Sequence, residues 1–426
     1  MRIYIDENFI TDNSNECEKN CYFLKIFANE KFSDDALKNG AKIINVDECK
    51  KILAIDEGIK IIGITGTNGK TTTAALIYQT LLNLGFSCGL CGTRGAFING
   101  KRVDEKSLTT SPILKTLEYL SLATRQKCEF FVMEISSHAI AQNRIQGLKF
   151  AAKIFTNLSQ DHLDYHKTMD EYARVKNSFL ADESVKIINI DDEFVKFNTK
   201  NSITYSLKKQ ADITAKNVDF TNAIHAILKT QKGEFELKSN LQGEFNLYNL
   251  MAAVGVILAL SDKKLDEISV AIANFSGVSG RVEVVSKDPL VIVDFAHTPD
   301  GILKILNALR HLSLVVVFGA GGDRDRTKRP KMGAIAQKYA RLCVVTSDNP
   351  RSENPDEIIA EILSGMSKEN VIVNSDRYEA IRLGLNNLRP NEALVILGKG
   401  DEDYQEINGV KHPFSDKNVV LELLKG

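Results

Sequence analysis

The chain has no tryptophan, only 8 prolines and almost no net charge, with 54 Lys and Arg against 55 Asp and Glu. That balance gives no bulk attraction for nucleic acid or an anionic membrane, so an anionic ligand must be held by local groups. No apolar run approaches the length of a bilayer crossing, and the N-terminus, MRIYIDENF, is acidic where a secretory signal would be basic and then apolar. A cytoplasmic protein without membrane insertion is expected. Seven cysteines, an odd number scattered over the chain, do not describe a disulfide framework. CGLC at 88–91 has redox or half-zinc spacing, but no second CxxC completes a metal site, and buried thiols are expected there. Internal repeats and low-complexity tracts are missing as well.

What is there is a chain of 426 residues, too long for one core and 43% hydrophobic. Strand-like runs alternate with helical patterns, which predicts an α/β protein with parallel sheets. Three units are expected: a short irregular one at 1–54, a central one at 55–278 and a second doubly wound, Rossmann-like one at 279–426. The runs AIHAILKT and EFELKSN, between 203 and 242, read as a hairpin insertion. SGVSGR near 276 supplies small residues suited to a hinge.

GTNGKTT at 66–72 follows the strand-like KIIGIT and opens a helical pattern. Its glycines permit close backbone approach, its amides and helix N-terminus face phosphate oxygens, Lys70 can reach the β and γ phosphates, and Thr71 can ligate magnesium. The spacing fits GxxxxGK[ST] counted neither from Gly66 nor from Gly63, and a chance glycine turn is the bland alternative. Glu134, at the end of FFVME, stands where a phosphate-loop protein places a metal-handling acid. In TNLSQDHLDYH, Asp161, His162, Asp164 and His166 crowd one loop, as a metal site or as a solvated polar turn. Lys176 by itself reads as a surface lysine. In TSDNPRSENP, Arg351 sits between two prolines in a stiff, extended loop after an apolar strand, as a ligand for a carboxylate or as a surface charge flanking a helix.

GTNGKTTT, MEISSHAIAQNRIQGLKF, TNLSQDHLDYHKTMDEYARVK, GEFNLYN, GRVE, DFAHTPD, GGDRDRTKRP and DNPR, in this order from about residue 60 to 405, together resemble the Mur ligases of bacterial cell-wall synthesis. The SSH and TNLSxDHLDYH block is similar to the branch that adds the third peptide residue. The resemblance implies a three-domain fold with a small uridine-binding N-terminal domain. It implies an ATP-dependent amide ligase joining meso-diaminopimelate to UDP-N-acetylmuramoyl-L-alanyl-D-glutamate through an acyl phosphate, acting as a monomer. It further implies that Gly66, Thr67, Asn68, Gly69, Lys70, Thr71, Thr72, Asn249, Arg281, Asp294 and His297 bind ATP. Lys176 would carry a carbamate formed from CO₂ and, with Glu134 and His162, hold one of two magnesium ions, the other lying at Thr71 and the ATP phosphates. Ser14, Thr109, Thr110, Ser136, Gln142 and Arg144 would contact the nucleotide-sugar dipeptide, although the two threonines could instead cap the helix begun by SPILKTLEYL. Arg324, Asp348, Asn349, Pro350, Arg351, Gly398 and Glu402 would hold diaminopimelate, whose distal carboxylate distinguishes it from lysine. Three departures from the family pattern stand out: Phe295 in place of tyrosine, Asp401 in place of histidine, and a shortened N-terminal segment in which Asn13 and Asn15 flank Ser14 where aspartate and arginine are usual. The alternatives carried are a lysine-adding ligase of the same family, a folylpolyglutamate synthetase, and a non-catalytic ATP-binding scaffold.

Overall fold

A computed structural model describes residues 1–105, 108–221 and 223–425. Among these residues the first sheet has four strands, in the order Arg2–Ile5, Asn8–Thr11, Tyr22–Leu24 and Lys42–Ile44. Its first pair is antiparallel and the others are parallel. Ile10, Leu24, Ile44 and Val46 join an apolar cluster with Ile61, Phe131 and Tyr119, so the small unit packs on one face of the central sheet.

The central sheet is built on Lys60–Thr65, flanked in parallel by Phe130–Glu134 and Phe150–Phe155. These strands are mostly buried and largely apolar, as expected where both faces are covered, with Lys60, Lys153 and Glu134 the charged exceptions. Helices Lys70–Asn83 and Glu244–Leu260 pack on one face, contributing Leu76, Ile77, Leu250 and Val254 to the core. The runs expected to form an inserted hairpin pair antiparallel as Ile224–Thr230 and Gly233–Ser239, and through Ile213–Asp219 and Ser202–Ser206 they extend this same sheet to eleven strands among the described residues. Cys88 and Cys91 lie on the strand Cys88–Gly92, three positions apart and therefore on opposite faces, each buried in a different core. A shared metal or disulfide is impossible in that geometry, and all seven cysteines are buried and free.

The C-terminal sheet runs Glu283–Lys287, Leu290–Asp294, Glu392–Leu397, Ser313–Phe318, Leu342–Val345, Val371–Val373, parallel except for its first strand. The order reverses direction around Glu392–Leu397, which places the ligand crevice beyond the carboxyl ends of the central strands. Segments 295–300, 319–325, 346–351 and 398–402 all emerge there. The carboxyl ends of the central sheet's strands face the same space, and Gly280, where the chain enters the C-terminal unit, packs tightly on that unit's own 398–402 segment. A Cβ at Gly280, which has φ +69°, would strike the backbone of Gly400 and Asp401.

Candidate functional site

Between the two sets of strand ends lies a cleft of about 430 Å³ lined by residues 67–72, Glu134, Asp161, His162, Asn249, Arg281, Asp294, His297, Arg324, Arg351 and Glu402, among others. The loop before helix Lys70–Asn83 turns through Gly69 at φ +87°, where a Cβ would lie 2.6 Å from Asn249 Oδ1, so only glycine serves both needs. Its shape is held from behind by the TNLS segment. Thr156 Oγ1 and Asn157 Nδ2 donate to Asn68 O (2.7 and 3.0 Å), Asn68 N donates to Asn157 Oδ1 (3.0 Å), and Ser159 N donates to Thr67 Oγ1 (3.0 Å). Lys70 Nζ donates to the carbonyls of Gly66 and Thr67, both at 2.9 Å. Burial lowers the affinity of Lys70 for its proton, partly offset by Glu134 and Asp161.

Glu134 is buried, with 2% of its surface exposed, at the end of its strand. Its Oε2 accepts from Thr71 Oγ1 (2.9 Å), and its Oε1 accepts from the backbone N–H of Thr93 (2.9 Å). Lys176, on helix Met169–Ser178, is 1% exposed, which overturns its reading as a surface lysine. Its Nζ donates to Gly66 O (2.8 Å) and sits 4.9 Å from the centre of the Tyr172 ring. Desolvation, followed by the nearby Lys70, pushes this amine well below the ordinary lysine range. The His162 ring packs against the same tyrosine, 6.1 Å between centroids, and desolvation likewise depresses its affinity for a proton.

The loop around His162 is not a solvated turn, because Asp161 and His166 are both buried. Although burial opposes its charge, Asp161 is held below the usual carboxylate range, with Lys328 (3.5 Å) the largest of the charges favouring it, followed by His162 and His297. His166 Nε2 and Ser137 Oγ share a hydrogen bond of 2.8 Å, which turns that ring away from the cleft acids, while Asp164 is exposed.

The expected nucleotide-sugar residues form a second group beside the cleft. Thr110 Oγ1 donates to Glu134 O (2.8 Å) and accepts from Ser136 N (2.9 Å), while Thr109 Oγ1 accepts from Thr93 Oγ1 (3.2 Å). Arg144 donates to Thr110 O (3.1 Å) and, through Nε, to Gln142 Oε1 (2.9 Å). Helix Ile113–Arg125 has Pro112 at its cap with no side-chain hydrogen bond, so the threonines are not helix caps. Ser14 lies apart, buried in the N-terminal unit in a short 3₁₀ turn.

Across the hinge, the Arg281 guanidinium stacks 4.1 Å from the Phe295 ring centre, and its Nη2 approaches Thr71 Oγ1 at 3.4 Å. The ring at 295 thus serves without a hydroxyl. Asp294 accepts from the amides of Val282 and Ala296, but burial dominates and raises it to about 6. Asn249 Oδ1 accepts from Thr73 Oγ1 (3.1 Å), which packs it against the phosphate loop.

Arg351 is not extended. It adopts φ +52° in the left-handed region, fixed by its amide donating to Glu406 O (3.0 Å) and its carbonyl accepting from Asn408 N (2.7 Å). Its Nη1 donates to Gly322 O (2.7 Å), leaving the guanidinium facing the cleft beside Arg324 and not out in solvent. Asn349 Nδ2 donates to Glu402 Oε2 (2.9 Å). Lys399, fully buried, donates to both Asn349 Oδ1 (3.0 Å) and Glu402 Oε2 (2.9 Å), and stands 3.7 Å from Asp348. Gly398 at φ +116° lies against Asp348 Oδ2. Asp401 turns toward Arg94 of the central unit, Nε to Oδ2 3.9 Å. Thr93, Asn157 and Lys399 are not among the residues the sequence marks for the site, although Asn157 lies within TNLSQDHLDYH and Lys399 between the glycines of GKG.

Comparison with known proteins adds a line of support independent of this geometry. Residues 64–257 match the Mur ligase middle domain, and residues 280–400 match the Mur ligase glutamate ligase domain. The UDP-N-acetylmuramoyl-L-alanyl-D-glutamate--2,6-diaminopimelate ligase of Helicobacter hepaticus is 47% identical over 408 residues, 93% of this chain and 88% of that protein. The ligase of the same description from Wolinella succinogenes is 46% identical over 418 residues, covering 98% and 96%. A solved structure of a ligase with that description is similar at a TM-score of 0.67 and 33% identity, covering 98% of this chain and 94% of the other.

Proposed function

The chain belongs to the Mur ligase family, and on that premise we propose that it joins meso-diaminopimelate to UDP-N-acetylmuramoyl-L-alanyl-D-glutamate at the expense of ATP. The observation that carries this reading is the placement of Arg351 and Arg324, with Glu402, across one cleft from the phosphate loop. In the reaction an oxygen of the D-glutamyl γ-carboxylate attacks the γ phosphorus of ATP and the bond to the β-phosphate oxygen breaks, releasing ADP. The amine of the incoming amino acid then attacks the acyl carbon, phosphate leaves and the amine loses a proton.

Two anions must meet, and the residues on both sides supply the charge that permits it. Lys70 would exchange two neutral carbonyl acceptors for phosphate oxygens, a stronger charge-assisted bond. Arg281 reaches the same loop from the C-terminal side. Magnesium, when bound, supplies further positive charge at the transferring group. Thr71, with the ATP phosphates, would hold one ion, and Glu134, His162 and Lys176 as a carbamate a second. The donor set fits, because a hydroxyl and a carboxylate are hard oxygen ligands. Among the described residues no three His, Cys, Asp or Glu side chains converge as a metal site. A second ion therefore needs an additional oxygen, and a carbamate on Lys176 would supply it. Burial lowers the proton affinity of the Lys176 amine, which favours the neutral form that adds CO₂.

At the amino-acid side, Glu402 would take the ammonium and the forked guanidinium of Arg351 the distal carboxylate. Arg351 Nε already lies 3.4 Å from Glu406 Oε2, so a lysine substrate would forfeit the forked pair with a distal carboxylate without orphaning the guanidinium, and that lost pair is what argues against the lysine-adding alternative. Ser14 would meet the uridine end and Arg144 the peptide carboxylates. Phosphate release measured with diaminopimelate, lysine and ornithine tests the assignment. Turnover is expected with diaminopimelate and is expected to fall by at least about 10²-fold in Arg351→Ala; a lysine preference, or release without the nucleotide-sugar dipeptide, would refute it.

A further inference from the structure

The turn 160–162 reaches across the cleft, and the ligase chemistry above assigns nothing to its first residue. Gln160 directs its whole carboxamide at one segment of the C-terminal unit. Nε2 donates to Asp325 Oδ2 (2.9 Å) and to Thr327 Oγ1 (2.8 Å), and Oε1 accepts from Lys331 Nζ (2.5 Å). Every polar atom of the amide is used, and all on the opposite side of the hinge.

The next two residues lead into the site. Asp161 faces Lys328 and His297 of the C-terminal unit (3.5 and 3.9 Å), and its Oδ1 also accepts the backbone N–H of His162 (2.9 Å). That bond helps hold His162 at φ +54°, a left-handed conformation that residues with a side chain seldom adopt. On its far side, the segment contacted by Gln160 is wired to the diaminopimelate loop. The fully buried Arg329 donates to both carboxylate oxygens of Glu353 (2.8 Å each) and to Gly321 O (3.1 Å). Gly322 N donates to Asn349 O (2.9 Å), and Arg351 Nη1 donates to Gly322 O (2.7 Å). Hydrogen bonds and ion pairs, joined by short stretches of backbone at 160–161, 328–329 and 321–322, therefore lead from His162 to Arg351.

We propose that Gln160 is a positioning residue that clasps the two halves of the cleft and couples the seating of the amino-acid loop to the placement of His162. The clasp stands on the geometry alone; its kinetic consequence rests on the ligase reading. Contiguity does not establish coupling, so the test exchanges partners. Gln160→Glu keeps the size of the side chain and the acceptor for Lys331, but it loses both donors and sets a carboxylate against Asp325. Asp325→Asn added to it restores a donor opposite an acceptor, with the direction reversed, and retains the oxygen that caps Arg326–Lys328.

Small-angle scattering and amino-acid-dependent phosphate release are measured for the unaltered protein, both single variants and the double variant, with thermal melts to confirm folding. Gln160→Glu is expected to enlarge the radius of gyration and to lower kcat/KM for diaminopimelate about tenfold, the scale of one to two lost hydrogen bonds beside charged partners. The double variant is expected to recover both. An unchanged radius in Gln160→Glu, or a double variant no better than that single one, overturns the clasp, and an unchanged kcat/KM overturns its coupling to His162. If the unaltered protein releases no phosphate, the reaction assigned above fails, while scattering still decides the clasp.

Discussion

At the scale of single residues, burial separates the groups proposed to do chemistry from surface groups of the same type. Lys176 stands on the apolar face of its helix with Met169, Tyr172, Ala173 and, just past the helix end, Leu180, a spacing that a lysine read alone does not reveal, and it ends 1% exposed with its amine against the phosphate loop. Lys176→Ala is expected to lose most turnover and to regain part of it with a short carboxylic acid, which phosphate release would measure. Full activity without rescue would remove the carbamate from the account. The phosphate loop was legible because its chemistry is local: glycines, a lysine and hydroxyls within seven residues after a strand. Thr93, Asn157 and Lys399 were not, because each acts on a partner remote in the chain: Thr93 on Glu134, Asn157 on Asn68, Lys399 on Asn349. Arg351 was legible as a loop residue, but its left-handed backbone depends on pairing with the later hairpin Tyr404–Ile407 and Val410–Pro413.

At the scale of elements, the strand ends opposite the cleft carry stability and leave the other ends to function. Glu392, buried where its strand begins, accepts from Ser313 Oγ (2.8 Å) and from Arg341 Nη2 (2.6 Å), so it ties the starts of three adjacent strands. The paired Arg341 lowers this carboxyl from 4.5 to about 2. The unfolded carboxyl takes up its proton near 4.5 and the folded one only near 2, so the stabilisation is complete above pH 4.5 and vanishes as pH falls toward 2. Glu392→Gln is expected to cost about 2–3 kcal/mol at pH 7 and to flatten the acid side of the stability curve, as read by denaturant melts between pH 2 and 7. Apolar runs revealed the parallel strands of both sheets, since a strand covered on both faces must be apolar throughout. The run between 203 and 242 was legible only as a hairpin. Its continuation from Ser202–Ser206 as an extension of the central sheet depends on pairing that no local pattern encodes.

For the whole molecule, the expected ATP contacts come from both sides of a hinge that leads into Gly280. Gly280→Val would place a branched side chain at φ +69° against Gly400 and Asp401 of the same unit, so the loop that carries Gly398 and Glu402 into the cleft could not hold its place beside Arg281. Turnover is expected to fall by at least about 10²-fold, as misplacement of reacting groups commonly costs, while the melting temperature of the central unit stays near its original value. Steady-state kinetics beside differential scanning calorimetry would check both. The division into three units was legible from the change in pattern along the chain. The sharing of one apolar cluster by the small N-terminal sheet and the central unit was not, because it joins residues as distant as Ile10 and Phe131.

The two sheets meet with their carboxyl ends facing each other, so the working cavity belongs to neither. A compound that wedges the gap near Gly280, Arg94 and Asp401 could inhibit without imitating nucleotide, sugar or amino acid, and a raised concentration of any one substrate would not displace it directly.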